Sequence, residues 1–220
     1  MLENWDSQII LTAQSYAGEG CRRLIYFHPH NKDFLIKISK FTQEQYRNNQ
    51  KISYRNNYRY FKYLTREIAE YARLRLCVSS SPHIIQKIIG FVDTNLGMGL
   101  VVKTEKDKEG ALAPTLEYLI NNNLWNDQVG QDFEFFLRQL SQTDICVSDL
   151  TLQNIVYAYN FGQGYYFVLI DGTEDNCFIP LRFYNKFCRT VHRKQKIKNL
   201  RAQIHSLLEK QSLYSLQQQS

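Results

Sequence analysis

The chain has 220 residues, 44% hydrophobic and 14% aromatic, enough to bury one large domain or two small lobes and too apolar for a disordered tail. Gly and Pro number only 10 and 4, which disfavours a loop-rich or collagen-like design. A formal charge of +6 admits a nucleotide, a nucleic acid or an anionic membrane surface as partner and selects none of them.

In chain order, "QIILTAQSY", "RRLIYFH" and "DFLIKIS" predict three strands, with Gly18-Glu19-Gly20 in the first connection and His28 to Lys32 in the second. From about Thr42 to Leu76 no Pro or Gly interrupts the chain, which reads as one or two helices rich in Tyr and Arg. "HIIQKIIGFVDTNLGMGLVVKTE" returns to strands around a turn at Asn95 to Gly97. "KDKEGALAP" is the most polar interruption. A hinge placed just before it gives a first lobe of residues 1–103 and a second of 104–220.

Beyond it, "TLEYLINN" and "QDFEFFLRQLSQ" predict amphipathic helices. Phe133, Phe136, Leu137 and Leu140 recur at helical spacing and read as core. "QNIVYAY" and "YYFVLID" predict a hairpin turning at Asn160 to Gly164, and residues from about Asn185 to Leu213 a basic helix or pair of helices. The fold class is α+β, β-rich first and α-rich afterwards.

Four features then carry chemistry. Gly18-x-Gly20 lies between two predicted strands, where a missing Cβ lets backbone amides approach phosphate, although paired glycines also serve plain hairpin turns. Lys37 in "FLIKI" faces away from Ile36 and Ile38. It is either an ordinary solvent-facing strand residue or an ammonium for phosphate oxygens. Asp149 precedes Asn154 by five positions in "SDLTLQNI", a spacing that suits a cap and a turn, or two groups sharing a metal ion. Asp171 ends the strand "VLID" and is followed by Gly172: an Asp-Gly turn, or a Mg²⁺-binding carboxylate facing a cleft. Each signal is modest alone. Glycine loop, strand lysine, helix, Asp-x₄-Asn and a strand ending in Asp are, in that order, the protein-kinase signature set.

The chain also resembles the YrbL family, small bacterial kinase-like proteins named for the PhoP regulatory network. The resemblance is carried by "GEGCRRLIYFHPHNKDFLIKI", "YRYFKYL", "IIGFVDTNLGMGLVV", "LTLQNIVY", "VLIDGTEDNCFIPL" and "FCRTVHRKQKIKNL", in order from about Ala17 to Leu200. It implies a two-lobed protein-kinase-like fold with a β-rich N-lobe and a mainly helical, truncated C-lobe. It further implies ATP and Mg²⁺ as cofactors, Lys37 with Gly18 and Gly20 on the phosphates, Asp149 as catalytic base, and Asn154 and Asp171 on the metal.

The sequence departs from the kinase pattern in several places. Arg23 stands at the third loop glycine, Val147 and Ser148 replace the His and Arg before the base, and Thr151 replaces the lysine after it. Asp171-Gly172-Thr173 lacks a Phe-Gly pair. Asn57 stands where a helix glutamate would meet Lys37, with Glu44 and Glu67 as substitutes. No activation segment is recognisable.

"CRTVHRKQKIKNLRAQIH" groups Arg189, His192, Arg193, Lys194, Lys196, Lys198 and Arg201. It reads as a solvated helix face, or more sharply as a surface for phospholipid, lipopolysaccharide phosphates or RNA. "QYRNNQKISYRNNYRYFKYLTR" interleaves aromatic and basic residues, as nucleic-acid binders do. His28 and His30 have no third ligand nearby in sequence, so no metal site is expected there. Five cysteines, Cys21, Cys77, Cys146, Cys177 and Cys188, form no C-x-x-C pair and read as reduced, mostly packed thiols. The opening "MLENWDSQII" lacks a signal-peptide pattern and no apolar run reaches membrane-span length, so the expectation is a cytoplasmic protein without a transmembrane segment.

Three function classes fit these residues. The first is an ATP-dependent phosphotransferase with an unknown acceptor. The second is a pseudokinase acting as a regulatory binding module for another protein. The third is a nucleic-acid-binding protein, resting on charge and aromatics alone.

Overall fold

A computed structural model of the chain describes residues 8–20, 22–40, 54–77, 84–173 and 185–217, with the side chains at 54–63, 77 and 214–217 outside that description. Two units divide the chain: Met1–Lys62 with Lys87–Thr104, and Tyr63–Gln86 with Glu105–Ser220.

The first unit is built on one antiparallel sheet of β1 (Tyr16–Glu19), β2 (Arg23–His28), β3 (Asn31–Ser39), β4 (Ile88–Thr94) and β5 (Gly97–Lys103). The strands lie in the order β1-β2-β3-β5-β4, so β3 is central. Ile36 and Ile38 point to one face and pack with Leu11, Leu24, Tyr26 and Val101. Lys37, two-residue alternation dictates, points to the other face, opposite Ile25 on β2 and Leu100 on β5. Gly99 fits this core because a Cβ there would overlap Ile36 and lie 2.9 Å from Ile38 Cδ1.

The predicted strand over 8–16 is a correction. Only its last residue, Tyr16, enters β1, and Ala13–Ser15 forms a 3-10 turn instead. Two side chains offer the backbone alternatives to a ladder. Asn95 Oδ1 accepts from Leu11 N at 2.8 Å while its Nδ2 donates to Leu11 O, and Ser15 Oγ accepts from Thr12 N.

Helix α1 (Tyr54–Cys77) occupies the second half of the expected helical stretch, whose residues 42–53 lie outside the described ones. From Tyr63 onward α1 belongs to the second unit, with α2 (Leu116–Asn121), α3 (Asp127–Gln142), the hairpin β6 (Ile155–Asn160) and β7 (Gly164–Leu169), and α4 (Lys186–Gln217). Two of these helices begin on side-chain caps: Thr115 accepts from Tyr118 N at 3.1 Å and Asn126 from Val129 N at 3.0 Å. The apolar stripe of α3, Phe133, Phe136, Leu137 and Leu140, is fully interior, as its spacing predicts, and Phe133 meets Phe167 of β7 edge-on. The basic C-terminal segment is one helix. Among the described residues no helix is long and apolar enough to cross a membrane.

Candidate functional site

The second unit gathers three of the expected site residues at the open end of the β6–β7 hairpin. The last ladder pair is Ile155 with Leu169, and just beyond it Ile170 N donates to Asn154 O at 2.8 Å. Asn154 and Asp171 therefore leave adjacent strands at the same end. The Asn154 amide nitrogen Nδ2 donates to Asp149 O at 3.1 Å and to Asp149 Oδ2 at 3.0 Å. The two ends of "SDLTLQNI" are thus tied to each other. Leu150 and Leu152 between them are buried in the core, which leaves Asp149 exposed and Asn154 half-buried.

Asp171 and Gly172 close this loop from the far strand. Gly172 O accepts from Ser148 N at 2.8 Å and from Asp149 N at 3.3 Å, while Gly172 N donates to Asp171 Oδ1 at 2.8 Å. Gly172 has φ of 86°, and a Cβ there would overlap Asp149 O and lie 3.0 Å from Asp149 Cβ. Only glycine meets both demands, so the Asp-Gly pair is a turn and a close packing point at once.

With Asn154 Nδ2 engaged, its Oδ1 is the atom able to ligate a cation. Together with the Asp171 carboxylate it makes an all-oxygen donor set, the chemistry that suits Mg²⁺ better than a thiolate- or imidazole-preferring metal. An amide oxygen and a carboxylate are donors of the type that Mg²⁺ takes.

Lys37, Gly18 and Gly20 lie in the first unit. Lys37 is only 5% exposed, so the expectation of an ordinary solvent-facing strand residue does not hold. An ammonium at such a position needs a polar partner to offset its desolvation. Gly18 has φ of 152° and sits beside a register shift in β1, and neither Gly18 nor Gly20 would find an atom within 4 Å of an added Cβ. The space over the glycines is open, but Gly20 N is already spent on Arg23 O at 2.8 Å. Lys40 pairs with Glu19 at 3.1 Å across the base of this loop, whose Cys21 lies outside the described residues. Of the glutamates considered for Lys37, Glu67 of α1 is buried, while Glu44 and the Asn57 side chain lie outside the described residues.

Sequence reasoning missed a set of charged residues behind the Asp149 loop. Arg189 and Arg193 belong to the segment read as a solvated face, yet they are 7% and 4% exposed. Arg189 grips Asp144 side-on, Nε to Oδ1 at 3.1 Å and Nη2 to Oδ2 at 2.7 Å. Arg193 donates to Ile145 O at 3.1 Å and to Ser141 O at 3.3 Å. Burial would raise the Asp144 carboxyl, but the hydrogen bonds and charges of Arg189 and Arg73 outweigh it and hold the group below its ordinary value of 3.8. A signal existed: Arg189 and Arg193 continue, at helical spacing, the buried stripe of Ile197, Leu200 and Ile204. Lys194, Lys198 and Arg201 do face solvent.

A family model described as "PhoP regulatory network protein YrbL" matches residues 9–205. The chain belongs to this family. No curated protein matches it. Among solved structures it is similar to "Crystal structure of Rad53 1-466 in complex with AMP-PNP", with a TM-score of 0.51 at 11% identity. The match covers 90% of this chain and 51% of that one, so the YrbL-family chain spans about half the length of its structural neighbour. At that identity the likeness speaks to fold: α+β and kinase-like, with a β-rich first unit and a mainly helical second.

Proposed function

We propose that this YrbL-family chain binds ATP with Mg²⁺ and transfers its terminal phosphate to an acceptor hydroxyl. The reading rests above all on the Asp149–Asn154 loop, closed by the 3.0 Å amide–carboxylate bond and flanked by Asp171, within a kinase-like fold. The Rad53 structure that the chain resembles is a complex with AMP-PNP, which adds support for a nucleotide ligand.

In this reading the Lys37 ammonium pairs with phosphate oxygens, and Gly18 and Gly20 leave room for them. Asn154 Oδ1 and the Asp171 carboxylate would hold Mg²⁺, which would neutralise charge on the phosphate oxygens. With Oδ2 held by Asn154, Asp149 Oδ1 takes the acceptor's proton as the new O–P bond forms and ADP leaves. A second reading, a nucleotide-binding regulatory module without turnover, is favoured by one observation: Val147 and Ser148, before Asp149, are buried and bring no charge.

The test pairs binding with turnover. Thermal stabilisation by ATP and Mg²⁺ is expected in the wild type and lost in Lys37→Ala and Asp171→Ala, and its absence at millimolar nucleotide would overturn both readings. ATP consumption that disappears in Asp149→Ala, with the thermal shift kept, supports transfer. A shift without any wild-type consumption of ATP, in the presence of cell extract as acceptor source, leaves the regulatory module.

A further inference from the structure

The segment from Ser141 to Asp149 leads from the end of α3 into the Asp149 loop, and side chains from two distant helices hold its backbone. Arg73 of α1 donates to Asp144 O and, at 3.1 Å, to Asp144 Oδ2. Glu70, 2% exposed, accepts from Cys146 N at 3.1 Å and from Arg73 at 2.8 Å. Arg193 of α4 takes Ile145 O and Ser141 O, and Arg189 takes the Asp144 carboxylate. From Ser148 onward, Gly172 takes over. Thus Asp144, Ile145, Cys146, Ser148 and Asp149 each have a backbone group held, first by charged side chains and then by the loop's far strand.

A surface helix end does not ordinarily bury two guanidinium groups. Doing so removes strong hydration, and among the described residues the carboxylates that Arg73 and Arg189 engage are those of Glu70 and Asp144, while Arg193 spends its donors on backbone carbonyls. Burial lowers the Arg193 guanidinium, and its neighbours Arg189 and Arg73 add to that, against the opposing pull of Asp144. Replacing such a cluster by apolar residues is often neutral or stabilising, so stability alone is a poor reason for it. What a guanidinium supplies and an aliphatic side chain does not is direction, through a planar fork of donors aimed at named oxygens. Here the oxygens belong to the residues just ahead of the base.

We propose that Arg189 and Arg193 are positioning residues for Asp149: through Asp144 and the carbonyls of Ser141 and Ile145, helix α4 sets the register in which the Asp149 loop meets Asn154 and Gly172. Positioning for transfer rests on the function proposed above; positioning of the loop itself does not. The consequence is that an element outside the loop and remote in sequence governs turnover, and any partner that shifts the start of α4 would change it.

Hydrogen exchange and ATP turnover on the full chain test this, with Arg193→Lys, Arg193→Met, Arg189→Lys and Asp144→Asn. Loss of charge-assisted bonds should speed exchange of the amides of Cys146, Ser148, Asp149 and Asn154 by about tenfold or more, while amides of the α2–α3 core stay at wild-type rates. ATP turnover should fall by a similar factor with the ATP-induced thermal shift unchanged, and Arg193→Lys should recover part of what Arg193→Met loses. Unchanged exchange at those four amides overturns the inference, and so does exchange that rises equally across the unit, which marks a merely structural role. Should Arg193→Met fail to fold, Arg193→Lys and Asp144→Asn carry the same comparison. A wild type with no ATP shift would defeat the proposed function, while the exchange pattern would still decide the positioning of the loop.

Discussion

The two units hold their candidate residues by different means. In the first, Lys37 sits mid-strand in the central member of a sheet, fixed by ladder bonds to β2 and β5 and by the packed isoleucines on either side of it. In the second, Asp149, Asn154 and Asp171 lie outside regular structure: the Asn154 amide donates to Asp149, the Asp149 amide to Gly172 O, and Gly172 N to the Asp171 carboxylate. A sheet tolerates many sequences that keep its alternation. A polar loop depends on each donor and acceptor, because each one lost leaves another without its partner.

Two glycines put that contrast to the test with the largest expected effect. Gly172→Val forces a β-branched residue into positive φ and into Asp149, and should cost about 3 kcal/mol or more in urea unfolding. Gly99→Ala, which crowds Ile36 and Ile38, should cost about 2 kcal/mol by the same measurement. The comparison sharpens if only Gly172→Val also frees the amides of Ser148 and Asp149 to exchange. Equal effects on those amides would break it.

A smaller effect is expected from acid. Asp144 is held below its ordinary value, so its folded form favours the carboxylate and contributes stability that is fully present above about pH 4 and fades as pH falls through the lowered value. Asp144→Asn should therefore lower stability by about 1–2 kcal/mol at pH 7, a figure reduced by its one-third exposure, and the gap from wild type should close on acidification. A gap that stays constant to pH 2 would remove Asp144 from the network. The smallest effect belongs to the solvent side of α4: Lys194→Gln with Lys198→Gln should change stability by less than about 0.5 kcal/mol. A large loss there would mean that the buried arginines are not what distinguishes this helix.

Much of the architecture was legible from local pattern. The strand runs of β2 and β3, the Phe133 to Leu140 stripe and the hairpin at Asn160 to Gly164 each satisfy a short-range rule, and each element is found where that rule puts it. The strand expected at 8–16 is reduced to a single bridge at Ile9 and to Tyr16 in β1, because the Asn95 side chain, far along the chain, supplies Leu11 with the hydrogen bonds a strand neighbour would have given. The spacing of Asp149 and Asn154 carried a real contact, since five residues of loop suffice to bring an amide back to a carboxylate.

What the sequence by itself determined was most of the order of elements, the apolar stripe of α3 and the hairpin turn, set by helical period and turn chemistry over a few residues. The tertiary structure alone decided that Lys37 is buried and that Arg189 and Arg193 turn inward to the segment before Asp149. The reason is physical: charge is read from composition as something water will solvate, and whether water reaches it depends on which distant oxygens the fold brings within hydrogen-bond range.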